Sequence, residues 1–260
     1  MVISGNEPKL YHLHIPRTGG TNILYAMQKS LGPNSNVVWP KIFEFSYDHE
    51  RMNDNKFISG HFALNPILQN HGMETFSIIR EPIDHFVSVA AYRTTSNNSE
   101  FSNKALDNFI ENYRIFPFSG DIFGSSGNLQ TKHLTCRLIN VHDLFTDEDL
   151  SELETTNHTE GYAETATFFE ESTFPSSEAD LLEKIKNIRL FKFFDVDKIN
   201  NYIDEKLHQL MGVRFCGLSQ NQVNSSVRNR VTPSPQQVKD IGDRCKMDMV
   251  LYEHVCSINK

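Results

Sequence analysis

The sequence predicts an α/β fold: a central, mainly parallel sheet flanked by helices. Three observations carry this. Short apolar runs of β type alternate with stretches of helical spacing. Two of those runs end in a Gly- or Pro-containing loop that opens a helix. The 260 residues, 38% of them hydrophobic, suffice for a sizeable core in one domain spanning 1–260. Strands that alternate with helices run parallel and are covered on both faces.

In chain order, Leu10 to Ile15 reads as a strand stopped by Pro16, and Thr21 to Met27 continues with helical spacing to Leu31 and Gly32. Lys56 to His61 is a second strand, followed by a short helix near Leu64 to Asn70. Thr75 to Ile79 is a third, reaching Arg80. Pro82 then suits a first helical turn, with Ile83, Phe86, Val87 and Ala90 on the buried face. Leu190 to Phe194 is a further strand. Its helix carries Ile199, Tyr202, Ile203, Leu207 and Leu210 on one side and stops at Gly212. Ser234-Pro235-Gln236-Gln237 combines a capping box with proline at the first helical position, opening a terminal helical segment.

The net charge of -8 argues against a nucleic-acid partner, and its distribution says more than its sum. Residues 143–183 carry thirteen acids and no Lys or Arg, while the remainder carries 25 bases against 20 acids. The stretch reads as a solvated, mobile excursion or as an acceptor-side lid; the rest is electropositive enough to hold an anion. Cys136, Cys216, Cys245 and Cys256 are widely spaced with no ligand pattern, which predicts reduced core thiols and no metal site. No apolar run reaches a membrane span, and Met1 to Lys9 lack a secretory pattern, so a cytoplasmic protein is expected. No heptad or apolar stripe sets an oligomeric state.

Ligands in parallel sheets bind outside the carboxyl ends of the strands. At the first such end stands His14-Ile15-Pro16-Arg17-Thr18-Gly19-Gly20-Thr21. Adjacent glycines permit a tight turn and close approach, the helix start offers N–H groups, and Arg17, Thr18 and Thr21 add a charge and two hydroxyls. This is phosphate- or sulfate-cradle chemistry, though neither the G-x-x-x-x-G-K-[ST] nor the G-x-G-x-x-G pattern. At another strand end, Arg80 and Ser88 share the connection Ile79 to Ser88, a guanidinium fork with a hydroxyl donor. Two anion sites suit a nucleotide with two separated phosphate groups.

These two segments resemble the sulfotransferases, particularly the carbohydrate branch that includes heparan-sulfate 2-O- and 6-O-sulfotransferases. His14 to Thr21 is similar to that family's 5′-phosphosulfate loop, HIPKTGGT, with Arg17 in place of Lys. Ile79 to Ser88 resembles its 3′-phosphate segment. Asn128-Leu129-Gln130-Thr131 resembles a helix opening after that segment, Phe193-Phe194-Asp195 a late strand-helix pair, and Asn224 to Arg230 the loop closing over the cofactor. The resemblance implies a P-loop-like sulfotransferase fold and the sulfate donor 3′-phosphoadenosine 5′-phosphosulfate, with adenosine 3′,5′-bisphosphate as product. It implies in-line transfer to a hydroxyl of a carbohydrate or small metabolite, with no metal required; because the sequence shows neither the membrane anchor nor the disulfide pattern of the Golgi relatives, a cytoplasmic enzyme of bacterial type is expected. The nucleotide-binding residues it implies are Pro16, Arg17, Thr18, Gly19, Gly20, Thr21, Asn22, Arg80, Ser88, Arg228 and Arg230. His61 is the implied general base, because an acceptor hydroxyl needs a proton acceptor near neutral pH. Arg17 is placed at the 5′ or bridging oxygens, where it keeps the charge of Lys but has no proton to give a leaving group. His14 is a supporting candidate, His85 a partly exposed helix residue, and Glu81 and Asp84 first-turn acids that favour the helix dipole. Gln130, Thr131, Lys132 and His133 are expected to line an acceptor cleft, and the aromatics from Phe109 to Phe123 to pack between helices or stack on a ring. The alternatives are a nucleotide or metabolite kinase with a degenerate phosphate loop, and a non-catalytic nucleotide- or glycan-binding module.

Overall fold

The computed structural model of the chain describes residues 10–32, 57–60, 74–94, 101–112, 127–136, 138–140, 167–169, 171–218 and 231–258. Four strands make the main sheet: β1 (Leu10–Leu13), β2 (Phe57–Gly60), β3 (Glu74–Ile79) and β6 (Ile188–Lys192). They are ordered β2-β1-β3-β6 and every neighbouring pair is parallel. Leu13 of central β1 stands opposite Gly60 and Ser77, and Ile79 opposite Lys192, so β3 and β6 end together. A separate antiparallel pair, β4 (Leu138–Asn140) with β5 (Thr167–Phe169), was not foreseen in the sequence.

The pleat sends alternate side chains to opposite faces. Tyr11, Leu13, Ile58, Ile79, Ile188 and Leu190 face one layer. That layer is built from α4 (Leu129–Thr135), α5 (Glu178–Ile185) and α8 (Lys246–Ile258), which insert Leu134, Leu181, Ile185, Leu251 and Val255. Leu10, Phe57, Phe76, Ile78 and Phe191 face the other, made by α1 (Gly20–Leu31) and α6 (Val196–Met211). A third cluster sits between α2 (Pro82–Thr94), α3 (Asn103–Asn112) and α7 (Pro235–Arg244), where Phe86, Val87 and Ala90 meet Leu106, Ile110 and Ile241. The sheet is therefore covered on both faces, as the alternation of strands and helices implied. Each fully buried aliphatic side chain of this kind contributes about 1.5–3 kcal/mol of transfer free energy.

Helix boundaries follow local chemistry. Gly32 ends α1 at φ 81° with its N–H on the Gln28 carbonyl, and Gly212 ends α6 at φ 67° with its N–H on that of His208. Glu81 Oε2 accepts the Asp84 N–H at 2.7 Å and so caps α2. The Ser234–Gln237 capping box opens α7 with Pro235 in its first turn, as read from the sequence.

Several expectations change. The acidic stretch 143–183 is built into the fold at its far end: Ser177 caps α5, whose Leu181 and Ile185 lie in the core. The helical spacing of apolar residues outweighs the acidity there. The last strand of the main sheet, Ile188–Lys192, lies two residues earlier than Leu190 to Phe194; Phe193 still donates its N–H to the Ile79 carbonyl at 2.9 Å and sets its ring against Arg80. All four cysteines are free thiols, but only Cys136 and Cys245 are buried, and burial pushes the Cys245 thiol up to about 12; Cys216 is exposed. No described helix is long and apolar enough to cross a membrane. The helix expected near Leu64 to Asn70 lies outside the described residues.

Candidate functional site

The chain leaves β1, forms α1, and returns to β2 on one side of β1; it then crosses to β3 on the other side. The carboxyl ends of β1 and β3 therefore flank the topological switch point, where parallel sheets open a crevice. Both sequence motifs occupy it.

The loop after β1 is held tightly. The Thr18 hydroxyl and N–H both donate to the Ile15 carbonyl, at 2.7 and 3.3 Å, so this buried hydroxyl serves the turn. Arg17 takes a left-handed conformation at φ 67°, costly for a side chain with a Cβ, and Gly19 follows at φ 86° as the N-cap of α1. Gly19 itself brings no side chain to cap this helix. Its leading N–H groups, those of Gly20 and Thr21, have no acceptor within the helix and carry the positive end of its dipole. A Cβ on Gly20 would lie 1.9 Å from the buried His14 imidazole, and one on Gly19 3.1 Å from the Phe193 ring. The glycine pair thus answers to two different demands, backbone sign and close packing. His14 stacks on His12 at 5.6 Å, and His12 Nδ1 lies 2.9 Å from the Ser59 hydroxyl.

Four contacts join this loop to the β3–α2 unit. Arg80, 1% exposed, donates from one terminal nitrogen to the Arg17 carbonyl at 3.1 Å, faces Asp84 across 4.0 Å, and lays its guanidinium 5.0 Å from the Phe193 ring centre. His85 Nε2 lies 2.9 Å from the Pro16 carbonyl. A carbonyl only accepts, so Nε2 carries the proton. Burial drives the His85 pKa down to about 4 and the Arg80 and Arg17 charges add to this, against the Pro16 hydrogen bond. His85 is therefore a neutral donor at physiological pH. Finally, Arg17 Nε donates to Ser88 Oγ at 3.4 Å, and its guanidinium lies 4.9 Å from the centre of the exposed Tyr92 ring.

The Arg80 main chain is fixed from behind. Gln130 Oε1 accepts its N–H at 2.8 Å and Gln130 Nε2 donates to its carbonyl at 2.9 Å. Gln130 is itself placed by Asp248, whose carboxylate accepts the Gln130 N–H and both the N–H and hydroxyl of Thr131. In return Asn128 Oδ1 accepts the N–H groups of Met247 and Asp248, so α4 and α8 cap each other's starts. Burial pushes the Asp248 carboxyl up to about 6, although its Thr131 and Gln130 hydrogen bonds and Lys132 pull the other way.

Of the residues singled out in the sequence, Pro16 to Asn22, Arg80 and Ser88 come together at the carboxyl ends of β1 and β3. His61, Arg228 and Arg230, and the aromatics beyond Phe109, lie outside the described residues. Gln130, Thr131, Lys132 and His133 are all buried, and Gln130 supports the Arg80 main chain from inside. His85 is likewise buried rather than partly exposed. Sequence reasoning missed His85, Phe193 and Asp248 as parts of the site. A polar residue one position off the apolar stripe of α2 was the only signal for the first, and nothing local marked the others. The chain matches no family model, no curated protein and no solved structure.

Proposed function

We propose that the chain transfers the sulfuryl group of 3′-phosphoadenosine 5′-phosphosulfate to a hydroxyl of a carbohydrate or small metabolite, on a P-loop-like sheet of the sulfotransferase kind. The observation that carries this reading is the juxtaposition of two anion-binding segments, 14–21 and 80–88, joined at the switch point of a parallel sheet. The residues suit an anionic nucleotide. Gly19 brings no capping side chain to the α1 start, whose leading N–H groups carry the positive end of the dipole, and the Arg17 guanidinium and the Ser88 hydroxyl stand beside the loop.

In this reading the N–H groups at the start of α1 hold the 5′ side, and Arg80 with Ser88 binds the 3′ side. His61, which follows Gly60 at the end of β2 in sequence, takes the acceptor proton. Arg228 and Arg230 close over the nucleotide. The donor supplies an activated sulfuryl group, and the protein's part is to position and to stabilise charge.

Calorimetric titration with adenosine 3′,5′-bisphosphate, ATP and ADP tests this. Tight binding of the bisphosphate alone is expected, weakened at least about tenfold in Arg80→Ala, since a charge-assisted hydrogen bond contributes about 1.5–3 kcal/mol. With the sulfate donor and an acceptor panel, His61→Ala should lose turnover and keep nucleotide affinity. Preference for ATP, or no binding at all, overturns the proposal. Bisphosphate binding without transfer to any acceptor favours the non-catalytic module.

A further inference from the structure

We propose that Gln130 is a positioning residue for Arg80: its amide holds the Arg80 main chain at the end of β3, Asp248 of α8 holds Gln130 in turn, and the preference for a 3′-phosphate depends on this line of contacts. The inference rests on the sulfotransferase reading and adds to it two buried residues that act from behind the site.

Arg80 stands past the last rung of both ladders of β3, Leu13 with Ser77 on one side and Ile79 with Lys192 on the other. A side chain sets its peptide groups instead: Gln130 Oε1 accepts the N–H at 2.8 Å and Nε2 donates to the carbonyl at 2.9 Å. An amide that accepts and donates at once fits these two groups in one orientation, which fixes the direction in which the Arg80 side chain leaves the backbone. That side chain has little room to correct an error. Its guanidinium is 1% exposed, donates to the Arg17 carbonyl at 3.1 Å, and lies 4.0 Å from Asp84 and 5.0 Å from the centre of the Phe193 ring. A group so enclosed cannot swing to follow a phosphate, so where its main chain stands decides where its charge acts.

The far end of the line exceeds what a helix cap demands. The α4 helix is seven residues long, and an exposed Ser or Asp would serve its start. Instead a buried carboxylate, that of Asp248, accepts the Gln130 N–H at 3.3 Å and the Thr131 N–H and hydroxyl at 2.7 Å each. Burying a carboxylate is costly even when it is hydrogen-bonded, and burial raises the Asp248 pKa to about 6. The arrangement fixes residue 130 against β3 from a third element, which a cap on the surface would not do.

Titration with adenosine 3′,5′-bisphosphate and with AMP, which lacks the 3′-phosphate, tests this in wild type, Gln130→Met, Gln130→Glu and Asp248→Asn, with thermal midpoints measured alongside. Wild type should prefer the bisphosphate. Gln130→Met keeps the length and loses both hydrogen bonds; it should lower bisphosphate affinity about tenfold and AMP affinity by less than about threefold. Asp248→Asn should erode the same preference by a smaller factor. Gln130→Glu discriminates further, and serves should Gln130→Met fail to fold. Its carboxylate accepts the Arg80 N–H but cannot donate to the carbonyl, and only the protonated acid restores both bonds. Among the described residues, the charged and titratable groups around that position are Arg80 with Asp84 opposite it, the neutral His85, Asp248 with Lys132 beside it, and Cys245. Burial and the Asp248 charge raise the pKa of the new acid against the pull of Arg80, so its preference should be low at about pH 8 and recover as pH falls to about 5.5. Comparison with wild type at each pH removes the titration of Asp248 itself. A Gln130→Met protein that loses thermal stability but keeps the full preference overturns the inference, as do equal losses for both nucleotides or a Gln130→Glu preference that does not rise on acidification. Unchanged preference in Asp248→Asn overturns its α8 part. A wild type that binds AMP and the bisphosphate equally sinks the sulfotransferase reading itself, a result separable from these.

Discussion

Gly20 has no room for a side chain, and the reason is a histidine rather than a ligand. It opens α1 at a position where alanine would ordinarily be the better helix former by up to about 1 kcal/mol. A methyl group there would meet the His14 ring at 1.9 Å, and that ring is held by its stack on His12. Overpacking of this kind costs about 1–3 kcal/mol. Gly20→Ala should therefore lower the stability by a net of about 1–2 kcal/mol, while Gly20→Ala in a His14→Ala background should cost almost nothing. Denaturation of the four proteins of that cycle gives the coupling directly. Additive effects would mean that the ring swings aside. At Gly19 the demand is different: φ 86° is left-handed, so substitution there is strained whatever the space.

Between elements, α7 shows how a legible local signal acquires tertiary weight. Its capping box was readable because Ser, Pro and Gln stand at fixed offsets. The Gln237 amide also donates to Asp107 Oδ1 at 2.7 Å and to the Asn103 carbonyl at 3.1 Å, which ties α7 to α3. Ser234→Ala should cost about 1 kcal/mol as a lost cap. Gln237→Ala should cost about twice that, because it removes the reciprocal bond to the Ser234 N–H and both links to α3; urea denaturation of both would show it, and equal costs would reduce Gln237 to a cap. The same contrast explains what the sequence conveyed. Strand-loop-helix units and the Gly212 stop follow from periodicity and turn chemistry, which are local. The burial of His85, Gln130 and Thr131 does not. His85 is buried because β1 and β3 are neighbours, so that α2 lies against Pro16 across 69 residues of chain. Phe193 was readable as apolar, but not as the ring beneath Arg80.

For the whole molecule, two buried groups titrate against each other. The His85 pKa is depressed to about 4 from 6.5, so its contribution to stability is present above pH 6.5 and is lost as pH falls toward 4. The Asp248 pKa is raised to about 6 from 3.8, so its contribution is present below about pH 4 and is lost as pH rises through 6. Each is on the order of 3 kcal/mol, and the two slopes oppose over nearly the same window. Between pH 4 and 6 their contributions should cancel in the wild type. His85→Gln should expose the Asp248 slope, with stability falling as pH rises, and Asp248→Asn should expose the opposite one. Urea midpoints across that range check it, and parallel profiles for all three proteins would refute it.

The paired hydrogen bonds between Gln130 and the Arg80 main chain bear on how the molecule is made. One amide side chain offers that peptide what a neighbouring strand would, so the end of β3 is splinted by a residue of another helix. That helix is in turn capped by Asp248. A growing chain can pair β1, β2 and β3 early, yet Arg80 gains its last support only when α8 has emerged and docked. The setting of Arg80 is thus acquired last, and a broken chain that retains most of its sheet would still lack the splint that sets its arginine.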